Sequence, residues 1–79
     1  MARIDSFEEL PNGDGTLHQP VECGFKIFTD EGKTIVQLDT YGSSDRKLQG
    51  KVSQSIQLDE AAAAYLFGIL KRTFPRLKE

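Results

Sequence analysis

The segment Val52–Leu58 alternates strictly between two kinds of side chain. One set is Val52, Gln54, Ile56 and Leu58, and the other is Ser53, Ser55 and Gln57. A period of two is typical of a strand in an antiparallel sheet that has one face toward a core and the other toward solvent. The segment therefore predicts a sheet with one apolar face and one face rich in hydroxyl and amide groups.

Two further strands are predicted upstream, over Cys23–Thr29 and Lys33–Tyr41. Asp30-Glu31-Gly32 joins them as a hairpin connection of the turn-plus-bulge kind, with Gly32 in the left-handed conformation. Alternation divides their side chains between the two faces. We expect Cys23, Phe25, Ile27, Val36 and Leu38 on the apolar side, and Lys26, Phe28, Gln37 and Tyr41 on the outer side.

A helix is predicted from about Asp59 to Thr73. Asp59 is a good N-cap, and Glu60 places a negative charge in the first turn, where the helix dipole favours it. Pro75 ends the helix. A stripe of Ala62, Leu66, Ile69 and Leu70 is expected to face the sheet.

These elements predict a single α+β domain over residues 1–79. It consists of an irregular N-terminal segment (1–16), a twisted antiparallel sheet of three to four strands (17–58) and one C-terminal helix (59–73). Leu17–Val21 is the candidate fourth strand, and Pro20 confines it to an edge or a strand start.

The helix carries apolar residues beyond its sheet-facing stripe, namely Tyr65 and Phe67. A helix of this kind needs a second burial partner. That partner is either a second copy of the chain or the N-terminal segment, through Phe7 and Leu10. A chain this short, whose single Cys forms no intrachain disulfide, often gains stability by oligomerising. We therefore predict a homodimer with Tyr65 and Phe67 at the interface.

Charge is unevenly distributed along the chain. The net charge is −2, with −5 in residues 1–31 and +3 in residues 32–79. A small net charge argues against avid, indiscriminate binding to nucleic acid. The split indicates either a basic patch on an acidic body or two ordinary solvated surfaces.

The basic residues of the second half gather around the predicted loop 42–50. Arg46 and Lys47 lie in the loop, and Lys33 and Lys51 flank it. Cations beside serine hydroxyls and glycine amides suit phosphate contacts, although an ordinary polar loop has the same composition. Exposed aromatics on a sheet form stacking platforms for unpaired bases. The candidate nucleic-acid contacts are Lys26, Phe28, Lys33, Tyr41, Arg46, Lys47 and Lys51, with the alternative that Phe28 packs on the first strand or at a dimer seam.

Catalytic and metal-binding constellations are not apparent. His18 and Cys23 are the only residues of their types, and no Ser/His/Asp, Cys/His or zinc-ligand set is apparent. We expect no enzymatic activity, no metal and no cofactor. The N-terminus lacks the apolar region of a signal peptide, and no run is long enough to span a membrane, so we expect a cytoplasmic protein.

The order of elements over about residues 22–72 resembles the transcriptional positive cofactor 4 family. Gly32-Lys33 followed by Ile35-Val36-Gln37-Leu38 and Tyr41 is similar to that family's Gly-Lys, aliphatic strand and closing aromatic. Gly50-Lys51 and Ile56-Gln57-Leu58-Asp59-Glu60 are similar to its second Gly-Lys, final strand and helix entry. The resemblance implies a dimeric single-stranded-DNA-binding domain, with Lys33, Lys51 and Tyr41 as contacts. Asp39 departs from the family, which tends to be basic there, and the spacing from Gly50-Lys51 to Ile56 is longer.

Two functional hypotheses follow. The first is a homodimeric domain that binds single-stranded nucleic acid on its outer sheet face, as a transcription or replication accessory factor. The second is a non-catalytic protein-interaction or regulatory module that uses the polar sheet face and the 42–50 loop. Steep salt dependence and a preference for unpaired strands distinguish the first from the second.

Overall fold

The computed structural model describes residues 1–11, 13–42 and 51–78, and these form a four-stranded sheet followed by one helix. The strands lie side by side in the order β1-β4-β3-β2. The architecture is thus the predicted α+β domain. The elements are β1 (Ala2–Arg3), β2 (Cys23–Asp30), β3 (Lys33–Tyr41), β4 (Val52–Leu58) and α1 (Glu60–Thr73).

Strands β2, β3 and β4 are antiparallel, and their registers bring most of their apolar residues onto one side, while Phe28 and Ile35 oppose each other on the other side. Leu38 pairs with Phe25 on β2 and with Ile56 on β4. Directly opposed residues point to the same face of a sheet, so the register confirms which side chains were predicted to share a face. The expectation that the apolar set is buried and the other set faces outward is wrong for much of the sheet, because Phe25 and Ile27 are 73% and 64% exposed while Ile35, Gln37 and Ser55 on the other side are buried. We call the side that carries Phe25, Ile27, Val36, Leu38, Ile56 and Leu58 the apolar face, and the opposite side the polar face.

The fourth strand differs from the prediction. Residues 17–22 form no strand, and the edge position is taken by β1, which runs parallel to β4 and pairs Arg3 with Gln57. The amide of Ile4 continues this pairing with a 3.0 Å bond to the carbonyl of Gln57. The sheet is therefore mixed, and the N-terminal segment is not wholly irregular. Pro20 lacks the N–H that a strand at 17–21 would use, whereas Ala2–Arg3 is too short to show alternation.

The turn between β2 and β3 also differs in detail. Asp30 pairs with Lys33, so the connection has only two residues, Glu31 and Gly32. Both have positive φ, 51° for Glu31 and 76° for Gly32. Positive φ at both central positions is the geometry of a type I′ turn, which matches the twist of the strands without a bulge. The irregularity in strand pairing lies instead at Thr40 and Tyr41.

Helix α1 begins as predicted. The side chain of Asp59 accepts a 3.0 Å hydrogen bond from the amide of Ala62, which satisfies one of the free donors of the first turn. At the other end the amide of Phe74 donates to the carbonyl of Leu70, and Pro75 follows. The described part of the chain contains no helix that is long and apolar enough to cross a membrane.

The buried core is small, and the helix covers less of the apolar face than the sequence leads one to expect. Its contacts with the sheet are concentrated on β4, and Phe25 and Ile27 remain 73% and 64% exposed. A helix is about 10 Å wide, whereas neighbouring strands lie about 4.8 Å apart, so one helix over β4 does not reach β2. Among described hydrophobic residues, the buried ones are Leu58, Ala62 and Ile35, and Ile35 lies on the polar face opposite Phe28.

Candidate nucleic-acid interface

The centre of the polar face is a hydrogen-bonded row of four side chains on β3 and β4. Gln57 Nε2 donates to Gln37 Oε1 at 2.8 Å, and Gln37 Nε2 donates to Asp39 Oδ1 at 2.9 Å. Ser55 Oγ donates to the same Asp39 oxygen at 2.5 Å. Cross-strand pairing of Gln37 with Gln57 and of Asp39 with Ser55 brings these groups within reach. We call Gln57, Gln37, Asp39 and Ser55 the polar ladder.

Burial and hydrogen bonding hold the polar ladder in one arrangement. Gln37 and Ser55 are buried, at 9% and 6% exposure, while Asp39 is half-buried. Every buried side-chain nitrogen and oxygen within the described residues has a hydrogen-bond partner. A satisfied polar network is rigid, because moving one member would leave another unpaired. The ladder therefore presents its remaining polar atoms in fixed directions.

Asp39 is an anion in this setting. Its pKa is lowered from the usual value, first by the hydrogen bond from Ser55, then by the bond from Gln37, and further by the positive charge of Lys26, although burial acts in the opposite direction. At neutral pH the carboxylate is ionised and acts only as a hydrogen-bond acceptor. The polar face thus combines an acceptor with amide and hydroxyl groups at its centre.

Cations surround the ladder. Lys26 on β2 lies opposite Gln37, and Lys33 opens β3 beside the hairpin. Arg3 lies opposite Gln57 on the edge strand. All three are exposed. The sequence analysis selected Lys26 and Lys33 but missed Arg3, because the pairing of a two-residue strand with a strand more than fifty residues away leaves no local pattern.

Two aromatic residues lie on the polar face at opposite ends. Phe28 on β2 is opposite Ile35 and half-buried. The Tyr41 ring lies across Gly24, where a Cβ would approach its Cε1 to 3.7 Å. Gly24 and Phe28 are four residues apart on one strand, or about 13 Å. The two rings therefore lie well apart along the strand direction on this face.

Shallow depressions follow this face between the edge strand and the hairpin. One, of about 260 Å³, is lined by two cations and two acids together with apolar and amide side chains, namely Arg3, Lys33, Asp30, Glu31, Phe28, Ile35 and Gln57. A second, of about 250 Å³, lies beside Gln37 and Ser55 and shares Arg3 and Gln57 with the first. The polar face thus contains a track that runs from the hairpin to the middle of the ladder.

The remaining sequence-predicted contacts are placed as follows. Lys51 is exposed and precedes Val52, which pairs with Tyr41, so Lys51 lies at the Tyr41 end of the face. Arg46 and Lys47 lie outside the described residues. The structure therefore places Lys26, Phe28, Lys33 and Tyr41 on one face, with Lys51 at its end. The described residues contain no cluster of three or more His, Cys, Asp or Glu suited to a metal ion.

The helix residues predicted for a dimer interface are both exposed in the single chain, but they differ in their surroundings. Phe7 of the N-terminal segment stacks on Tyr65, and Tyr65 is still 56% exposed. Phe67 is 47% exposed, with Lys71 Nζ 5.5 Å from its ring centroid. The N-terminal segment therefore covers part of Tyr65, while Leu10 stays exposed.

Comparison of the chain with protein-family models, with curated proteins and with solved structures finds no match.

Proposed function

We propose that the protein is a small homodimeric domain that binds single-stranded nucleic acid on the polar face of its sheet. Arg3, Lys26 and Lys33 contact phosphates, and Phe28 and Tyr41 stack on bases. Lys51 extends the basic track past Tyr41. The domain acts by binding alone, as an accessory factor in transcription or replication.

The observation that carries this proposal is the convergence of three kinds of group on one face. Cations, aromatic rings and a rigid row of amide, hydroxyl and carboxylate groups lie together across β1, β4, β3 and β2. Positive charge that tracks a backbone, combined with rings for stacking, is the usual composition of a single-strand binding groove. Neighbouring charges and rings on a sheet favour an extended ligand over a compact anion.

Unpaired strands suit this face better than a duplex. The bases of a duplex are stacked within the helix, and their edges are reached through grooves that admit a helix or a narrow ribbon. A broad sheet face has no such protruding element. Aromatic rings on the sheet instead require bases whose flat surfaces are free.

The proposed dimer is supported by the surface of the single chain. Phe25, Ile27 and Phe67 are 73%, 64% and 47% exposed. Each partner in a standard protein interface buries about 800 Å². Large apolar side chains exposed together in this way mark an interaction surface. A second copy on the apolar side leaves the opposite, polar face free for nucleic acid.

Two variants test the proposed contacts, each with a matched control. Lys26→Glu should weaken binding of a fluorescein-labelled single-stranded oligonucleotide at least several-fold, while Lys78→Glu, with the same charge change on an exposed residue outside the sheet, should change it little. Tyr41→Ala should weaken binding through the loss of stacking, which is worth about 1–3 kcal/mol per base, and Tyr41→Phe should retain it. Fluorescence anisotropy measures both. If each variant binds like its control, the polar face is not the binding surface.

The exposed apolar face also favours a second candidate, a module that binds a different protein there. Phe25 and Ile27 would then contact that protein in place of a second copy. Binding through an apolar surface depends little on salt, whereas phosphate contacts weaken steeply as salt rises. The absence of both a dimer and oligonucleotide binding would favour this candidate.

A further inference from the structure

We propose that Asp39 makes the domain selective for unpaired bases that carry an exocyclic amino group, cytosine above all, over thymine and uracil. This inference rests on the proposed function, because it assigns base selectivity to the same face. It concerns Asp39, the one acidic residue of the polar ladder. A face that bound phosphates alone would gain nothing from a negative charge at its centre.

The direction of the hydrogen bonds in the ladder is the first argument. Ser55 Oγ and Gln37 Nε2 both donate to Asp39 Oδ1. Neither of these two hydrogen bonds involves the second carboxylate oxygen of Asp39, Oδ2. That oxygen is an acceptor on a half-buried side chain held by two donors. A carboxylate in this state accepts a hydrogen bond from a ligand and offers none.

The chemistry of the bases then determines what the acceptor selects. Cytosine presents its N4 amino group as a donor, and pairing of Asp or Glu with this group is an established mode of base readout. Thymine presents the O4 carbonyl at the corresponding position. An anionic oxygen attracts the amino group and repels the carbonyl. Lys26, across from Gln37, supplies a cation for the phosphate near the same base.

A charged hydrogen bond of this kind is worth enough to be measured. Hydrogen bonds to charged groups are stronger than those between neutral groups, so a preference of roughly tenfold or more is expected. Stacking on Phe28 or Tyr41 does not produce such a preference, since every base has a flat face. Selectivity between two bases of the same size therefore reports on Asp39 and not on the aromatic rings.

The test compares two labelled oligonucleotides, one of 5-methyldeoxycytidine and one of thymidine. Both bases carry the same methyl group, and they differ in whether an amino group or a carbonyl projects at position 4. Anisotropy titrations at pH 7.5 and low salt should show the methylcytosine oligonucleotide binding about tenfold or more tightly to the wild-type protein. Equal affinities would overturn the inference while leaving the proposed function standing. Lack of binding to either oligonucleotide would contradict both.

Asp39→Asn supplies a sharper readout, since the ladder fixes the orientation of the new amide. Its oxygen takes the place of Oδ1, because Ser55 and Gln37 both donate there, and its nitrogen takes the place of Oδ2. A donor then replaces an acceptor, and the preference should invert toward thymidine. Removal of the negative charge alone would strengthen binding to both oligonucleotides by the same factor. An unchanged ratio in this variant would overturn the inference, and circular dichroism verifies that the variant is folded.

Discussion

Ser55 on β4 donates a 2.5 Å hydrogen bond to Asp39 on β3, and this contact joins the two strands at the centre of the polar face. The hydroxyl of Ser55 and the carboxylate of Asp39 are sixteen residues apart in the sequence. It is the largest single cause of the lowered pKa of Asp39. The consequences for acid stability and for base recognition follow from this one contact.

Removal of the hydroxyl should raise the pKa of Asp39 toward its ordinary value. In Ser55→Ala one donor to the ionised carboxylate is lost, while the bond from Gln37 remains. Titration of the Asp39 carboxyl carbon by NMR measures the change, and Ser53→Ala, on the same strand and exposed, is the control. A pKa in Ser55→Ala equal to that of wild type would show that the hydrogen bond does not act on the charge.

The same bond makes the stability of the fold depend on pH. A carboxyl group with a depressed pKa in the folded state contributes stability that is complete above the unfolded pKa, near 3.8. That stability is lost as pH falls from about 4 through the folded pKa. Ser55→Ala should therefore flatten the dependence of the unfolding midpoint on pH below about 4, as measured by urea denaturation.

The type I′ turn leads to a stabilising substitution. Glu31 has a φ of 51°, a conformation that costs an ordinary L-residue about 1 kcal/mol and costs glycine nothing. Asn-Gly is the preferred pair for this turn. Glu31→Asn should raise the free energy of unfolding by up to about 1 kcal/mol, while Glu31→Ala, which changes the charge equally, should not. A decrease in stability of Glu31→Asn in chemical denaturation would contradict the turn geometry.

Loss of the helix cap should destabilise the fold. Asp59→Ala removes the acceptor for the amide of Ala62, a change that costs about 1 kcal/mol in comparable helices. Asp59→Asn keeps a side-chain oxygen and should lose much less. Thermal unfolding followed by circular dichroism compares the two. Equal melting temperatures for Asp59→Ala and wild type would show that the cap contributes nothing.

Sequence patterns predict the parts of this fold that are determined locally. Alternation predicted which side chains share a face from Gln54 to Leu58, but the register shift that pairs Val52 with Tyr41 interrupts it at the start of the strand. Asp59 and Pro75 located the helix ends within a residue or two. Arg3 escaped detection because its strand exists only through pairing with Gln57. Leu17–Val21 was wrongly predicted as a candidate strand, since this segment pairs with none of the described strands. Whether each of these two segments forms a strand depends on contacts with residues that are distant in the sequence.

Sequence patterns likewise predicted one part of the candidate site and missed another. The sequence placed Phe28 and Tyr41 on the same face as Lys26, as found, although both rings are half-buried there. It did not predict the polar ladder, because the link between Asp39 and Ser55 depends on the register of β3 against β4. Nor did it predict the exposure of Phe25 and Ile27, which depends on where the helix lies.

The exposed helix residues lead to a prediction about assembly. Truncation of a well-buried Phe to Ala costs about 3–5 kcal/mol. Phe67 is about half exposed in the single chain, so Phe67→Ala should weaken self-association more than it weakens folding. Light scattering over a range of protein concentrations measures the mass, and Leu17→Ala, at a fully exposed position away from the sheet, is the control. A monomer mass for the wild type at high micromolar concentration would rule out the dimer.

The central claim, binding of single-stranded nucleic acid on the polar face, is tested most directly by the salt dependence of wild-type affinity. Anisotropy titrations would compare a labelled single strand with a duplex of the same sequence between about 20 and 200 mM salt. The account predicts tighter binding of the single strand. It also predicts a slope of log K against log salt near −2, since three phosphate contacts contribute about −0.7 each. No binding of the single strand at tens of micromolar protein in low salt, or a preference for the duplex, would contradict it.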